Sequence, residues 1–152
     1  MCIRDSISGG SYAGIASTTA LSFTTVNTIP ILSSSTPADD APGVAVDANI
    51  VLNFSENVNA VSGNITIKKT TGDAPVETIS VTSGQVTGSG SSQITINPSS
   101  NFDNNTEYYV LIDATAFDDA DGRSYAGISS TTALSFTTTN TVPTLTLSLI
   151  HI

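Results

Sequence analysis

Residues 48–54 read ANIVLNF, and residues 108–114 read YYVLIDA. In the first, Ile50, Leu52 and Phe54 alternate with Val51 and Asn53. In the second, Tyr108, Val110 and Ile112 alternate with Tyr109, Leu111 and Asp113. A period of two marks a strand with one face in a core, because successive side chains point to opposite faces of a sheet. Working outward, the same reading gives strands at 28–34, 64–70, 76–82, 93–97 and 133–138. Ile65 shares a face with Ile67, Ile94 with Ile96, and Leu134 with Phe136. In 76–82, Val76, Thr78 and Ser80 share one face, and Ile79 and Val81 are expected on opposite faces. The intervening stretches TPADDAPG (36–43) and TGDAP (71–75) carry turn chemistry, as does Pro98.

No long 3.6-residue stripe interrupts this pattern, so the chain is expected to be all-β. Seven short strands in about 110 residues fit an immunoglobulin-like Greek-key sandwich of about seven antiparallel strands. The Cys–Trp–Cys signature of antibody domains is absent, since there is no Trp and one Cys. The core must therefore rest on Ile, Leu, Val and Phe. Tyr108 is read either as a tyrosine corner, its hydroxyl bonded to nearby backbone, or as plain core packing.

The chain also repeats itself. SYAGIASTTALSFTTVNTIPIL (11–32) recurs as SYAGISSTTALSFTTTNTVPTL (124–145), differing only at Ala16/Ser129, Val26/Thr139, Ile29/Val142 and Ile31/Thr144. Ser11 and Ser124 are 113 residues apart. A near-identical segment at domain-sized spacing is the mark of a tandem array. The expected divisions are the tail of a preceding repeat at 7–27, a complete domain at 28–140 and the start of a next repeat at 141–146. The duplicated strand 20–25 is expected to dangle, or to compete for the slot of 133–138 by swapping.

The terminal hexapeptides are set aside. MCIRDS (1–6) and LSLIHI (147–152) can be encoded by strings that are reverse complements of each other, which resembles the transposon mosaic end used in sequencing libraries. They contain the chain's one Met, one Cys and one His (Met1, Cys2 and His151). Between them no thiol or imidazole remains for a zinc site, a Cys nucleophile or a His base.

The net charge is −9. That balance argues against nucleic acid, whose phosphates select Lys and Arg, and against anionic membrane surfaces. No apolar run approaches the ~20 residues that span a bilayer, so no membrane insertion is expected. Binding of cations is compatible with the charge.

The order NTIPILSSSTPADDAPGVAVDANIVLNFSENV (27–58), GNITI (63–67), ITINP (94–98), EYYVLI (107–112), AFDDADG (116–122), SYAGI (124–128) and LSFTT (134–138) resembles the bacterial Ig-like domain family first defined in S-layer proteins. The resemblance covers about 27–139. It implies a spacer or structural module with no shared catalytic activity, as found in large bacterial surface proteins and adhesins. Where the family often has Gly-Asn after the loop Asp, this chain has Gly122-Arg123.

The acidic loop Asp118-Asp119-Ala120-Asp121-Gly122 is the best chemical candidate. Calcium takes six to eight oxygens, and Asp-x-Asp-Gly spacing lets carboxylates converge around a tight turn. Asp118, Asp119 and Asp121 are therefore the candidate metal ligands, with calcium the candidate cofactor and Asp39, Asp40 and Asp113 as helpers. The competing reading is a solvated turn using Asp for local backbone bonds and Gly for positive φ. Ser8 in place of Asp121 in the preceding copy weighs against metal. Glu56 reads as a solvated carboxylate, Lys68-Lys69 as surface charge, and Tyr125-Ala-Gly127-Ile128 as a structural plug. Asn-x-Ser/Thr acceptor patterns at Asn53, Asn64 and Asn104 read as chance.

These readings converge on a non-catalytic spacer repeat of an extracellular or cell-surface bacterial protein, stiffened by short Pro-bearing linkers and by calcium. Its partners would be neighbouring Ig-like repeats of the same chain, with a glycan or protein ligand bound by other domains. The alternatives are an adhesive module that recognises a glycan or protein itself, and an accessory repeat of a secreted hydrolase. Catalysis is not expected, since no nucleophile, base and orienting group can be assembled.

Overall fold

Burying one face of each alternating strand requires two sheets face to face, and that is the arrangement found. The computed structural model describes residues 28–140. Ten strands occur: β1 (Leu32–Thr36), β2 (Ala41–Val44), β3 (Ile50–Ala60), β4 (Asn64–Lys69), β5 (Pro75–Ser80), β6 (Val86–Thr87), β7 (Ser91–Ile96), β8 (Glu107–Ile112), β9 (Phe117–Asp118) and β10 (Ser135–Thr138). One sheet runs β1-β3-β7-β6, with β9 on β3, and the other runs β2-β10-β8-β4-β5. The chain crosses between sheets at β1–β2, β2–β3, β3–β4, β5–β6, β7–β8, β8–β9 and β9–β10, which gives the Greek-key sandwich.

The alternation is realised side chain by side chain. Ile50, Leu52, Ile65, Ile67, Ile94, Ile96 and Val110 are fully buried, and Tyr108, Leu134 and Phe136 nearly so. Burying such side chains is the main driving force of folding. An aromatic group fills each half of the core. Phe54 meets Phe117 and Tyr125 at centroid distances of 5.3 and 5.2 Å, and Tyr108 lies between Phe102 and Phe136 at 4.8 and 5.7 Å. Among the described residues, this core cluster draws on both sheets.

Four expectations need correction. The pairing of β2 with β10 is parallel, so the sheets are not wholly antiparallel. The segment 36–43 is not only a turn, because Ala41 opens β2. Strand 48–54 continues to Ala60, since a register shift between Asn53 and Val58 absorbs the polar Ser55-Glu56-Asn57 and returns Val58 to the core. Ile79 and Val81 do not face opposite ways. Both are 1% exposed, because residues two apart in an extended segment share a face, and the Val81 N–H is held by Gly63 O at 3.1 Å.

The segments 1–27 and 141–152 lie outside the described residues. With them lie the readings of the terminal hexapeptides, the preceding tail, the next repeat and the duplicated strand 20–25.

Registers fix where the chain comes in and leaves. Leu32 pairs with Phe54 and Thr36 with Val51, so β1 runs from the middle of β3 toward its start. Before it, Ile31 O accepts the Ser55 N–H at 2.9 Å, and Ile31 N–H donates to Ser55 Oγ at 3.2 Å. At the other end, Thr137 pairs with Glu107 at the start of β8. Beyond it, Thr139 N–H donates to Val44 O at 2.8 Å, and Thr139 O accepts the Asn105 N–H at 3.0 Å. The chain thus passes from one half of the sandwich to the opposite pole.

Candidate functional site

The acidic loop is built on β3. Ala60 and Asn59 pair with Phe117 and Asp118, so β9 carries the loop at the far end of β3. Phe117 is fully buried against Phe54 and anchors its stem. Beyond Asp118 the chain reverses around Asp119, which is 4% exposed. Asp119 Oδ1 accepts the backbone N–H groups of Asp121 and Arg123, both at 2.8 Å. Asp119 N–H donates to Arg123 O at 2.9 Å, and Gly122 N–H to Asp119 O at 3.2 Å. Gly122 adopts φ +79°, which the reversal requires and a Cβ would oppose. Asp118 and Ser124 form a bridge, and Tyr125 N–H donates to Phe117 O at 2.8 Å to close the ribbon.

Asp119 therefore organises its own loop, accepting bonds that water would otherwise make. Asp121 is exposed and supplies a backbone donor. Two oxygens of the loop stand out, because Asp118 Oδ1 and Asp119 Oδ2 are buried and have no hydrogen-bond partner among the described residues. A buried carboxylate oxygen without a donor is unfavourable by the desolvation it suffers. Among the described residues, no three His, Cys, Asp or Glu side chains converge as a group able to hold a metal ion.

The proposed helpers are engaged elsewhere. Asp113 Oδ2 accepts the Asn64 N–H at 2.8 Å. Asp39 Oδ1 accepts the Ser135 N–H at 2.9 Å, and Ser135 Oγ donates to Asp40 Oδ1 at 2.9 Å. The Asp pair thus fastens the β1–β2 crossing to β10. Glu56 accepts the exposed Thr28 hydroxyl at 3.3 Å. Lys68 pairs with Asp73 at 3.2 Å and Lys69 with Asp103 at 2.5 Å. These hydrogen bonds, Asp73 for Lys68 and Asp103 for Lys69, raise the ammonium pKa values.

Tyr125 is buried in contact with Phe54, and burial raises its phenol pKa. Behind it Gly127 has φ +75°, and a Cβ there would lie 2.4 Å from Ile112 O. The plug reading of 125–128 is realised in this contact.

One grouping escaped the sequence reading. Asp40, Asp73, Glu107, Tyr109 and Ser135 help line a cavity of about 240 Å³. The Tyr109 hydroxyl donates to Asp73 Oδ1 in a short hydrogen bond. That bond, followed by Lys68, holds the Asp73 carboxyl below its ordinary 3.8, and the same bond, followed by burial, pushes the Tyr109 phenol up against the opposing effect of Lys68. Tyr109 lies on the face opposite Tyr108 yet is 3% exposed. Alternation alone marked it as outward, but Asp73 from the turn at Thr71–Asp73 and Thr131, Thr132 and Ser135 from the last loop and β10 line the cavity around it.

The sequence model of the family described as bacterial Ig-like domain matches residues 26–138. Among solved structures, CopC from Methylosinus trichosporium OB3b is similar at 14% identity and TM-score 0.51, covering 76% of this chain and 98% of that one. The N-terminal part of the bacterial S-layer protein SbsC aligns at 18% identity and TM-score 0.50 over 77% of this chain and 25% of that one. A longer S-layer chain, rSbsC(31-844), aligns at 17% identity and TM-score 0.49 over 77% of this chain. This chain spans 14% of that longer one. No curated protein matches the sequence.

Proposed function

The chain belongs to the bacterial Ig-like domain family, and from that premise we propose that it is a non-catalytic spacer repeat of an extracellular or cell-surface bacterial protein. The observation that carries this reading is the path of the chain. It comes in against Ser55 and leaves against Val44 and Asn105 at the opposite pole. A domain threaded end to end adds length each time it is repeated, and the sequence repeats at 113 residues. Neighbouring repeats would be its partners, and any glycan or protein ligand would be bound by other domains.

Exchange tests this against the adhesive alternative. Residues 28–140 are replaced, in a repeat protein displayed on a cell, by an unrelated sandwich of similar length. A spacer predicts unchanged adhesion, and an adhesive module predicts its loss.

Calcium at the acidic loop is the second element of this reading. Its support is the pair of buried oxygens without donors, Asp118 Oδ1 and Asp119 Oδ2. Calcium prefers such oxygens and completes its shell with backbone carbonyls and water. Melting in calcium and in EDTA tests it.

A further inference from the structure

We infer that position 29 is the apolar contact through which one repeat seats on the outgoing pole of the repeat before it. This rests on the tandem spacer reading above. Thr139 is fixed to the outgoing pole by its bonds to Val44 and Asn105, and Ile31 is fixed to the incoming side by its two bonds to Ser55. The internal repeat makes Thr144 the next copy of Ile31. Only residues 140–143 therefore separate one anchored residue from the next, spanning at most about 18 Å when fully extended. The Thr28 hydroxyl bond to Glu56 shortens the slack further. Pro30, which is buried, fixes one φ angle. A connection this short, between domains whose sheets alone stack about 10 Å apart, brings the two poles face to face.

Two large apolar side chains sit at that junction, Ile29 at 55% and Ile31 at 61% exposure. The two copies of the sequence separate their roles. Position 29 is Ile in one copy and Val142 in the other, whereas position 31 is Ile in one and Thr144 in the other. The position that stays apolar is the one the neighbouring repeat covers. The opposing surface is small and approachable, since exposed Gly43 and Ala45 flank Val44, the acceptor of the Thr139 N–H.

The test is a tandem of two copies of 28–140, the second following directly, as the 113-residue period dictates. Each copy carries both sheets and the buried residues between them. Residual dipolar couplings are measured on both repeats. The expected result is a single shared alignment frame, lost on Ile29→Ser in the second copy and retained on Ile31→Ser. Separate frames in the parent tandem would overturn the contact while leaving the spacer reading intact, because a loose array still adds length. Equal effects of the two substitutions would overturn it as well. Ile29→Ser in a single repeat controls for folding. An unchanged melting temperature is expected, and a fall would assign Ile29 to its own domain instead.

Discussion

The Tyr108 hydroxyl accepts a hydrogen bond from the Asp103 backbone N–H at 2.8 Å. This is the tyrosine-corner geometry, a phenol on one strand bracing the loop that leads into it. Thr138 completes the brace. Its hydroxyl donates to Asp103 O at 2.6 Å and accepts the Thr106 N–H at 3.0 Å. Tyr108→Phe keeps the ring between Phe102 and Phe136 but leaves the Asp103 N–H without its acceptor. It should lower stability by about 1–2 kcal/mol. Tyr109→Phe should lower it less, because Asp73 is exposed and water can replace the lost donor. Urea unfolding of the two variants side by side checks the difference, and equal losses would contradict it.

Gly127→Ala places a Cβ at φ +75°, 2.4 Å from Ile112 O and 2.8 Å from Ala114 N. Neither neighbour is a yielding side-chain tip, so the backbone itself must shift. A loss of about 3 kcal/mol is expected from strain and displaced pairing together. The Ile112–Ile128 bridge should loosen first, seen as faster amide exchange at those two residues.

Glu77 sets part of the acid limb. Burial raises its pKa, but hydrogen bonds from Gln85 and Ser99 outweigh this and hold it below the ordinary 4.5. A carboxyl depressed on folding contributes stability that is present above 4.5 and is lost as pH falls through the lower folded value. Stability should therefore drop below about pH 4.5, and Glu77→Gln should flatten that drop while costing stability at pH 7. Melting curves between pH 7 and 3 decide the point. An unchanged acid limb in the variant would remove Glu77 from it.

If calcium completes the shell of Asp118 Oδ1 and Asp119 Oδ2, the melting temperature should rise by several degrees in calcium relative to EDTA. Asp119→Asn retains an acceptor for the Asp121 and Arg123 N–H groups, so the loop should still close. The response to calcium should nevertheless disappear. Identical curves in calcium and EDTA would leave Asp119 as the organiser of a passive turn.

Much of the sandwich was legible because its core follows one rule. Ile50, Leu52 and Phe54, Ile65 and Ile67, and Ile94 and Ile96 alternate and are buried. What escaped obeys no periodicity. Strand β2 contains Pro42 and Gly43 and is held by a parallel partner far along the chain. Strands β6 and β9 are two residues long and exist only through their neighbours. Tyr109 is buried from the outer face by a turn more than 30 residues before it and by the last loop and β10 after it, which no local pattern records. In the acidic loop, Asp-x-Asp-Gly announced a turn and a concentration of charge. Which oxygen serves the backbone and which lies buried without a donor depends on packing against β3, which the residue order does not state.

The claim that organises this account is that each repeat lengthens the chain it belongs to. Small-angle X-ray scattering of proteins with one, two, three and four copies of 28–140 tests it most directly. The longest described strand, β3, has 11 residues and sets the length scale of one repeat. At about 3.3 Å per residue, each added copy should extend the maximum dimension by roughly 35–40 Å. A constant increment of that size is the expected result. An increment that shrinks toward zero as copies are added, with repeats folding back on one another, would contradict the spacer.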